Sequence, residues 1–188
     1  MRIVAGKHKG RAIKAPLGHD VRPTSDRTRE SVFNILAHGI DDFDMEGVVA
    51  VDVFAGTGAL GLEALSRGAS FATFIEQSAP TARFLKENAA VMGEWRNVCL
   101  LTLDATHLPP PPRLARAPVG LAFLDAPYGK EMTAPALLAL SRKGWLAPGA
   151  VCVAEVGESE PLDCPAGYAM IDERVYGAAR VVFFRHAG

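Results

Sequence analysis

The chain is short of sulfur, of clustered histidine, of long apolar runs and of net charge, and each shortage narrows what it can be. Its three cysteines, Cys99, Cys152 and Cys164, are odd in number and lack C-x-x-C spacing, which argues against a disulfide framework and a cysteine zinc site. Cys99 and Cys152 fall in strand-like runs and are expected as buried apolar thiols. The five histidines stand singly, without the spacing of a metal centre, so no metal is expected. No stretch holds the ~18 apolar residues needed to span a bilayer. The opening "MRIVAGKHKG" is basic but has no apolar segment of a secretory signal behind it. The expectation is a cytoplasmic protein with no membrane partner.

The net charge is only -1, but it is unevenly spread. Residues 1–30 hold eight Lys and Arg against three acids, a net of +5, which leaves -6 on the rest. A basic end on an acidic body is the asymmetry expected of a nucleic-acid footprint. With 188 residues, 49% hydrophobic and 22% charged, the chain suits one ordinary globular domain and a small appendage.

The runs "RIVA" and "RAIK" flank the glycine-bearing "GKHKG" and predict a basic β-hairpin within an N-terminal extension, residues 1–20, ahead of a main domain over 21–188. In "DRTRESVFNILAHG", Thr24 or Ser25 can cap a helix whose apolar face is Val32, Ile35 and Leu36 and which Gly39 ends. From Gly47 onward strands and helices alternate: "GVVAVDVF", "GALGLEALSRG", "FATFIE", "SAPTARFLKENAAVMG", "NVCLLTLD", then "GLAFLD", "APALLALSRKG" and "AVCVAEV". Uninterrupted apolar strands of this kind belong to a parallel sheet covered on both faces. The prolines at 109–112 make a stiff surface connector. "YAMIDERVYG" and "AARVVFFRH", joined by a short glycine turn, close the sheet as an antiparallel pair. The expected fold is α/β and Rossmann-like, a seven-stranded mostly parallel sheet with one antiparallel strand and helices on both faces. That is the organisation of class I methyltransferases.

Gly56, Gly58 and Gly61 in "VDVFAGTGALGLEALSRGA" match G-x-G-x-x-G between a strand and a helix, which points to a nucleotide without saying which. Asp52 lies four residues before Gly56, at the mouth of that loop. A pyrophosphate there would meet a like charge, whereas the ammonium and sulfonium of S-adenosylmethionine would be attracted. Asp52 can also cap amides of the loop. Glu76 ends the next strand, where an acid suits the ribose hydroxyls of either cofactor class. Asp104 ends the third, where it can accept from an adenine amino group.

"LAFLDAPYGK" places Asp125 at the end of the fourth core strand, on the same edge. An exocyclic amine on a nucleobase is conjugated, and its lone pair becomes available as the nitrogen pyramidalises. The Asp125 carboxylate and the Ala126 carbonyl are a natural pair of acceptors for its two N–H groups. Tyr128 offers a face for the base to stack on. These residues do not separate guanine from adenine as the acceptor.

With those motifs placed, the chain resembles the RsmD family of 16S rRNA guanine-N2 methyltransferases. The likeness rests on "RIVAGKHKGR", "RPTSDRTRESVFNIL", "DVFAGTGALGLEALSRGA", Asp-Ala-Pro-Tyr and "VYGAARVVFF", of which the first two are the most specific. The resemblance implies S-adenosylmethionine held by Asp52, Phe54, Gly56, Thr57, Gly58, Glu76, Asp104 and Ala105. It implies the target base at Asp125, Ala126, Pro127 and Tyr128, and RNA contacts from Arg2, Lys7, Lys9, Arg11, Arg22, Arg27 and Arg29. The implied substrate is a specific guanine of 16S rRNA in the small ribosomal subunit or its assembly intermediate; a monomeric enzyme is expected. The family usually has Pro where this chain has Ala126; Pro127 still holds Ala126 extended, so activity is expected to survive. The competing readings are methylation of another nucleobase amino group such as adenine N6, a nicotinamide-dependent oxidoreductase, and a non-catalytic RNA-binding assembly module.

Overall fold

The computed structural model describes residues 1–16 and 26–188. The β1 (Val49–Val53), β2 (Phe71–Ile75), β3 (Val98–Leu101), β4 (Val119–Asp125) and β5 (Leu146–Gly157) strands are joined by α2 (Ala59–Ser66), α3 (Ala79–Val91) and α4 (Thr133–Arg142). α1 (Asp26–His38) precedes them, and β6 (Tyr168–Tyr176) and β7 (Ala179–His186) follow. The seven strands run in the order β3-β2-β1-β4-β5-β7-β6. Neighbours from β3 to β5 are parallel, and β7 is antiparallel to both β5 and β6. The turn before β7 uses Gly177 at φ 62°, the positive φ that a two-residue hairpin loop needs.

Alternation along each strand sorts the core into two layers. Ala50, Leu121, Phe123, Val151 and Val153 pack with α1, α2 and α3 on one face. Val51, Val53, Ala122, Leu124, Cys152 and Ala154 pack with α4 and Trp145 on the other. Val32, Phe33 and Leu36 are the buried apolar residues of α1; Ile35 is half-buried, because Phe33 packs against Phe123 with ring centroids 5.4 Å apart. The capping residues expected for α1, Thr24 and Ser25, lie outside the described residues. Ser78 caps α3, its hydroxyl accepting from the Thr81 amide. Cys152 is buried and Cys99 only half so, since β3 is the sheet's outer strand.

One connection differs in detail from expectation. The third strand stops at Leu101, so Asp104 stands beyond it and caps a 3₁₀ turn at Ala105–His107. The proline connector is pinned at its start, where the Pro109 carbonyl accepts from Trp145 Nε1 at 2.8 Å.

The N-terminal hairpin narrows to a single antiparallel bridge, Arg2 to Ala12, around a 3₁₀ turn at Gly6–His8. The reason is a buried acid on α2. Glu63 takes the amides of Val4 at 2.7 Å and Ala5 at 3.0 Å, which draws them from strand pairing toward the helix. Ile3 and Ile13 are buried in the same core layer as α1 and α2.

Candidate active site

The order β2-β1-β4-β5 reverses direction between β1 and β4, and in such sheets the ligand crevice opens at that switch, beyond the carboxyl ends of the strands. A cavity of about 760 Å³ lies there. The loop after β1 contributes Phe54, Gly56 and Thr57, the end of β2 contributes Glu76, and the segment after β4 contributes Ala126, Pro127 and Tyr128. Asp52 and Asp125 also line it.

The loop is built by left-handed backbone. Phe54, Gly56 and Gly58 have φ of 63°, 55° and 82°, a turn that carries the chain from strand to helix without a side chain in the way at the two glycines. Gly61 is needed for a different reason: a Cβ there would come within 2.4 Å of the Phe74 ring. That absence lets α2 approach β1 closely enough for the Gly61 amide to donate to Asp52 Oδ2 at 2.9 Å. Asp52 therefore caps α2 from the neighbouring strand. A Cβ at Gly58 would come within 3.0 Å of Leu85 and 3.3 Å of Phe74, so this glycine shapes the loop from behind.

Burial pushes the Asp52 carboxyl well above the ordinary carboxylate range; the Gly61 amide offsets part of this, and the charges of Asp125 and Glu76 raise it further. With Glu155, four carboxyl side chains line one cavity, a set suited to a cation. An ammonium and a sulfonium satisfy it where a pyrophosphate would add repulsion.

Glu76 organises the loop as well as facing the cavity. Its Oε2 accepts from the Gly56 amide at 2.8 Å and its Oε1 from the Ser78 amide at 2.7 Å. Each carboxylate oxygen keeps capacity for a second donor, so ribose hydroxyls can still be accepted. Thr57 is buried, and its carbonyl accepts from Asn88 of α3 at 3.0 Å.

On the other side of the switch, the Tyr128 hydroxyl donates to Glu155 Oε1 at 2.6 Å. The residue is 39% exposed, so its phenol tip is fixed while part of the ring faces the cavity. Glu160 Oε2 accepts from the Gly129 amide at 2.9 Å and the Gly157 amide at 3.3 Å, tying the loop after β4 to the end of β5. Ala126 is buried.

Three expected site residues stand elsewhere, Gly58 among them, behind the loop and not in the cavity lining. The Asp104 carboxylate turns back on its own 3₁₀ turn, Oδ1 accepting from the Thr106 amide at 2.8 Å, and it is Leu103 and Ala105 that line the cavity. Arg29, expected to face RNA, is wholly buried. It donates to Asp26 at 2.8 Å and to the Arg2 carbonyl, and lies 3.7 Å from Glu63. Its charge is used inside the protein because α1 turns this position toward α2. Arg2, Lys7, Lys9, Arg11 and Arg27 are exposed, and Lys7 pairs with Glu94 at 2.7 Å. Arg22 lies outside the described residues.

Sequence reasoning missed Glu155, Met132 and Met1, all of which line the cavity. Glu155 carried a usable signal, an acid near the end of the apolar run "AVCVAEV", of the kind that marks Asp52 and Asp125. Met1 carried none; the docking of Val4 and Ala5 on Glu63 brings it there.

Comparison with known proteins places the whole chain. The chain is 34% identical over 180 residues to ribosomal RNA small subunit methyltransferase D of Escherichia coli K12, covering 94% of this chain and 85% of that one. It is 32% identical to the protein of the same name from Haemophilus influenzae, covering 94% and 89%. Among solved structures, the Escherichia coli protein yhhF superposes with a TM-score of 0.81 at 30% identity, covering 100% of this chain and 98% of that one. A hypothetical protein of Thermus thermophilus gives 0.70 at 28% identity, covering 97% and 98%. The family model described as conserved hypothetical protein 95 matches residues 1–185, and the chain belongs to that family, the RsmD family of class I methyltransferases.

Proposed function

We propose that this enzyme moves a methyl group from S-adenosylmethionine to the exocyclic N2 of one guanine of 16S rRNA, acting on the small ribosomal subunit or its precursor as a cytoplasmic monomer. One observation carries the reading: Asp125, Ala126 and Tyr128 share a single cavity with the glycine loop and with Asp52 and Glu76. The choice of ribosomal RNA follows the relatives named as small subunit rRNA methyltransferases. A nicotinamide cofactor accounts for the glycines but leaves the acid at Asp52 opposed to its pyrophosphate.

The bound cofactor supplies an electrophilic methyl on a sulfonium. Asp52 and Glu76 provide the negative field for its cationic part, and Glu76 has oxygens for its ribose. The chain's own contribution is to the acceptor. The Asp125 carboxylate and the Ala126 carbonyl take the two N–H groups of the amine, which favours a pyramidal nitrogen with its lone pair aimed at the methyl. Asp125 or water takes the proton that the methylated nitrogen sheds. Tyr128 stacks on the base, worth about 1–3 kcal/mol in nucleic-acid sites. A paired base cannot enter such a pocket, so the target nucleotide is flipped out or unpaired.

The test uses small-subunit particles from a strain lacking the modification. Wild-type enzyme transfers labelled methyl to them, and Asp125→Ala loses at least about a hundredfold in single-turnover rate while binding S-adenosylmethionine normally. Equal rates for the two proteins would refute the role of Asp125.

A further inference from the structure

Asp125 and Glu155 are register partners at the carboxyl ends of β4 and β5. Each continues the side of its strand that carries Phe123 and Val153, so both side chains leave the same face of the sheet, on strands about 4.8 Å apart. Both line the cavity. Glu155 is only 8% exposed, and the Tyr128 hydroxyl at 2.6 Å fixes its carboxylate beside the stacking ring. The Glu160 tether between Gly129 and Gly157 holds the two strand ends together.

We infer that Glu155 is the residue that selects guanine, by accepting the N1–H adjacent to the amine that Asp125 engages. The inference rests on the nucleobase-amine reading above and specifies its substrate. Guanine presents a donor, N1–H, next to its exocyclic amine. Adenine presents a lone pair on N1 next to its own. A carboxylate at that place accepts from the first and repels the second, and a site built to pair with a donor rejects an analogue lacking it far more strongly than an apolar pocket would. One carboxylate oxygen accepts more than one donor, so the Tyr128 hydroxyl and N1–H are compatible. The acid pair thus divides the work: Asp125 activates the amine, and Glu155 reads the atom beside it.

The experiment compares small-subunit particles reconstituted with guanine or 2-aminopurine at the acceptor position. 2-Aminopurine keeps the amine at C2 but has no hydrogen on N1. Wild-type enzyme should favour guanine by about a hundredfold or more in kcat/KM. Glu155→Gln can present either its carbonyl or its NH2, and should bring the ratio below about tenfold while S-adenosylmethionine affinity is unchanged. Wild-type enzyme that methylates both particles equally, or a full preference surviving in Glu155→Gln, would overturn the inference and leave the methyltransferase reading standing. No transfer by wild type to the guanine particle would overturn both.

Discussion

Asp52 does two separate things. It closes the first turn of α2 through the Gly61 amide, and it supplies charge at the cavity. Its raised carboxyl, with burial the foremost cause, ties both to pH. A group whose folded value lies above its unfolded one favours folding at low pH, and that favour is lost as pH rises through the folded value. A cation bound beside it reverses the balance by stabilising the carboxylate. S-adenosylmethionine should therefore bind more tightly as pH rises through the Asp52 titration, with proton release. Asp52→Asn keeps an acceptor for Gly61 but should weaken binding about tenfold near neutral pH and flatten its pH dependence. Calorimetry in two buffers of different ionisation enthalpy reads both effects, and wild-type affinity in Asp52→Asn would remove the electrostatic role.

Asp52, Glu76 and Asp125 stand out in the sequence because each is an acid at or near the end of an apolar strand, and all three line the cavity. Asp104 looked the same, yet it serves Thr106, since β3 ends three residues sooner and the chain has already turned. Arg29 was misread because charge in a basic segment is normally solvated; only the fold reveals that Glu63 and Asp26 surround it.

At the level of elements, the N-terminal segment is held to α2 and to the turn after α3 by buried acids. Glu63 fixes Val4 and Ala5. Glu94, at 3% exposure, accepts from His8 Nε2 at 2.7 Å and pairs with Lys7 at the same distance. Burial opposes ionisation of Glu94, but bonds from Asn97, Lys7 and His8 outweigh it and lower the carboxyl to about 2. A depressed acid contributes stability above its unfolded value, lost as pH falls through the folded one, here from about 4.5 toward about 2. Glu94→Ala should cost about 2 kcal/mol at neutral pH and almost nothing near pH 2. Urea unfolding at both pH values, with amide exchange at His8, checks this; an equal cost at both would assign the loss to packing. The hairpin pattern was readable in alternation, whereas its anchoring on α2 was not, because Glu63 lies 58 residues or more from the amides it binds.

Across the whole molecule, the basic end and the acidic cavity divide charge by sign: the proposed function has one face phosphate and the other a cationic cofactor. Burial of Ile3 and Ile13, at about 1.5–3 kcal/mol each, makes removal of the N-terminal segment a test of folding as much as of RNA binding. Charge reversal of exposed residues is cleaner. Arg2→Glu, Lys9→Glu and Arg27→Glu together should weaken binding to small-subunit particles at least tenfold, reduce its salt dependence, and leave S-adenosylmethionine affinity intact. An unchanged salt slope would move the RNA surface elsewhere.

The most direct measurement is nucleoside analysis by mass spectrometry of 16S rRNA from small-subunit particles incubated with the enzyme and S-adenosylmethionine. The account predicts one added N2-methylguanosine per 16S rRNA with wild type and none with Asp125→Ala. A methyl group on adenine, or no methyl group at all, would contradict it.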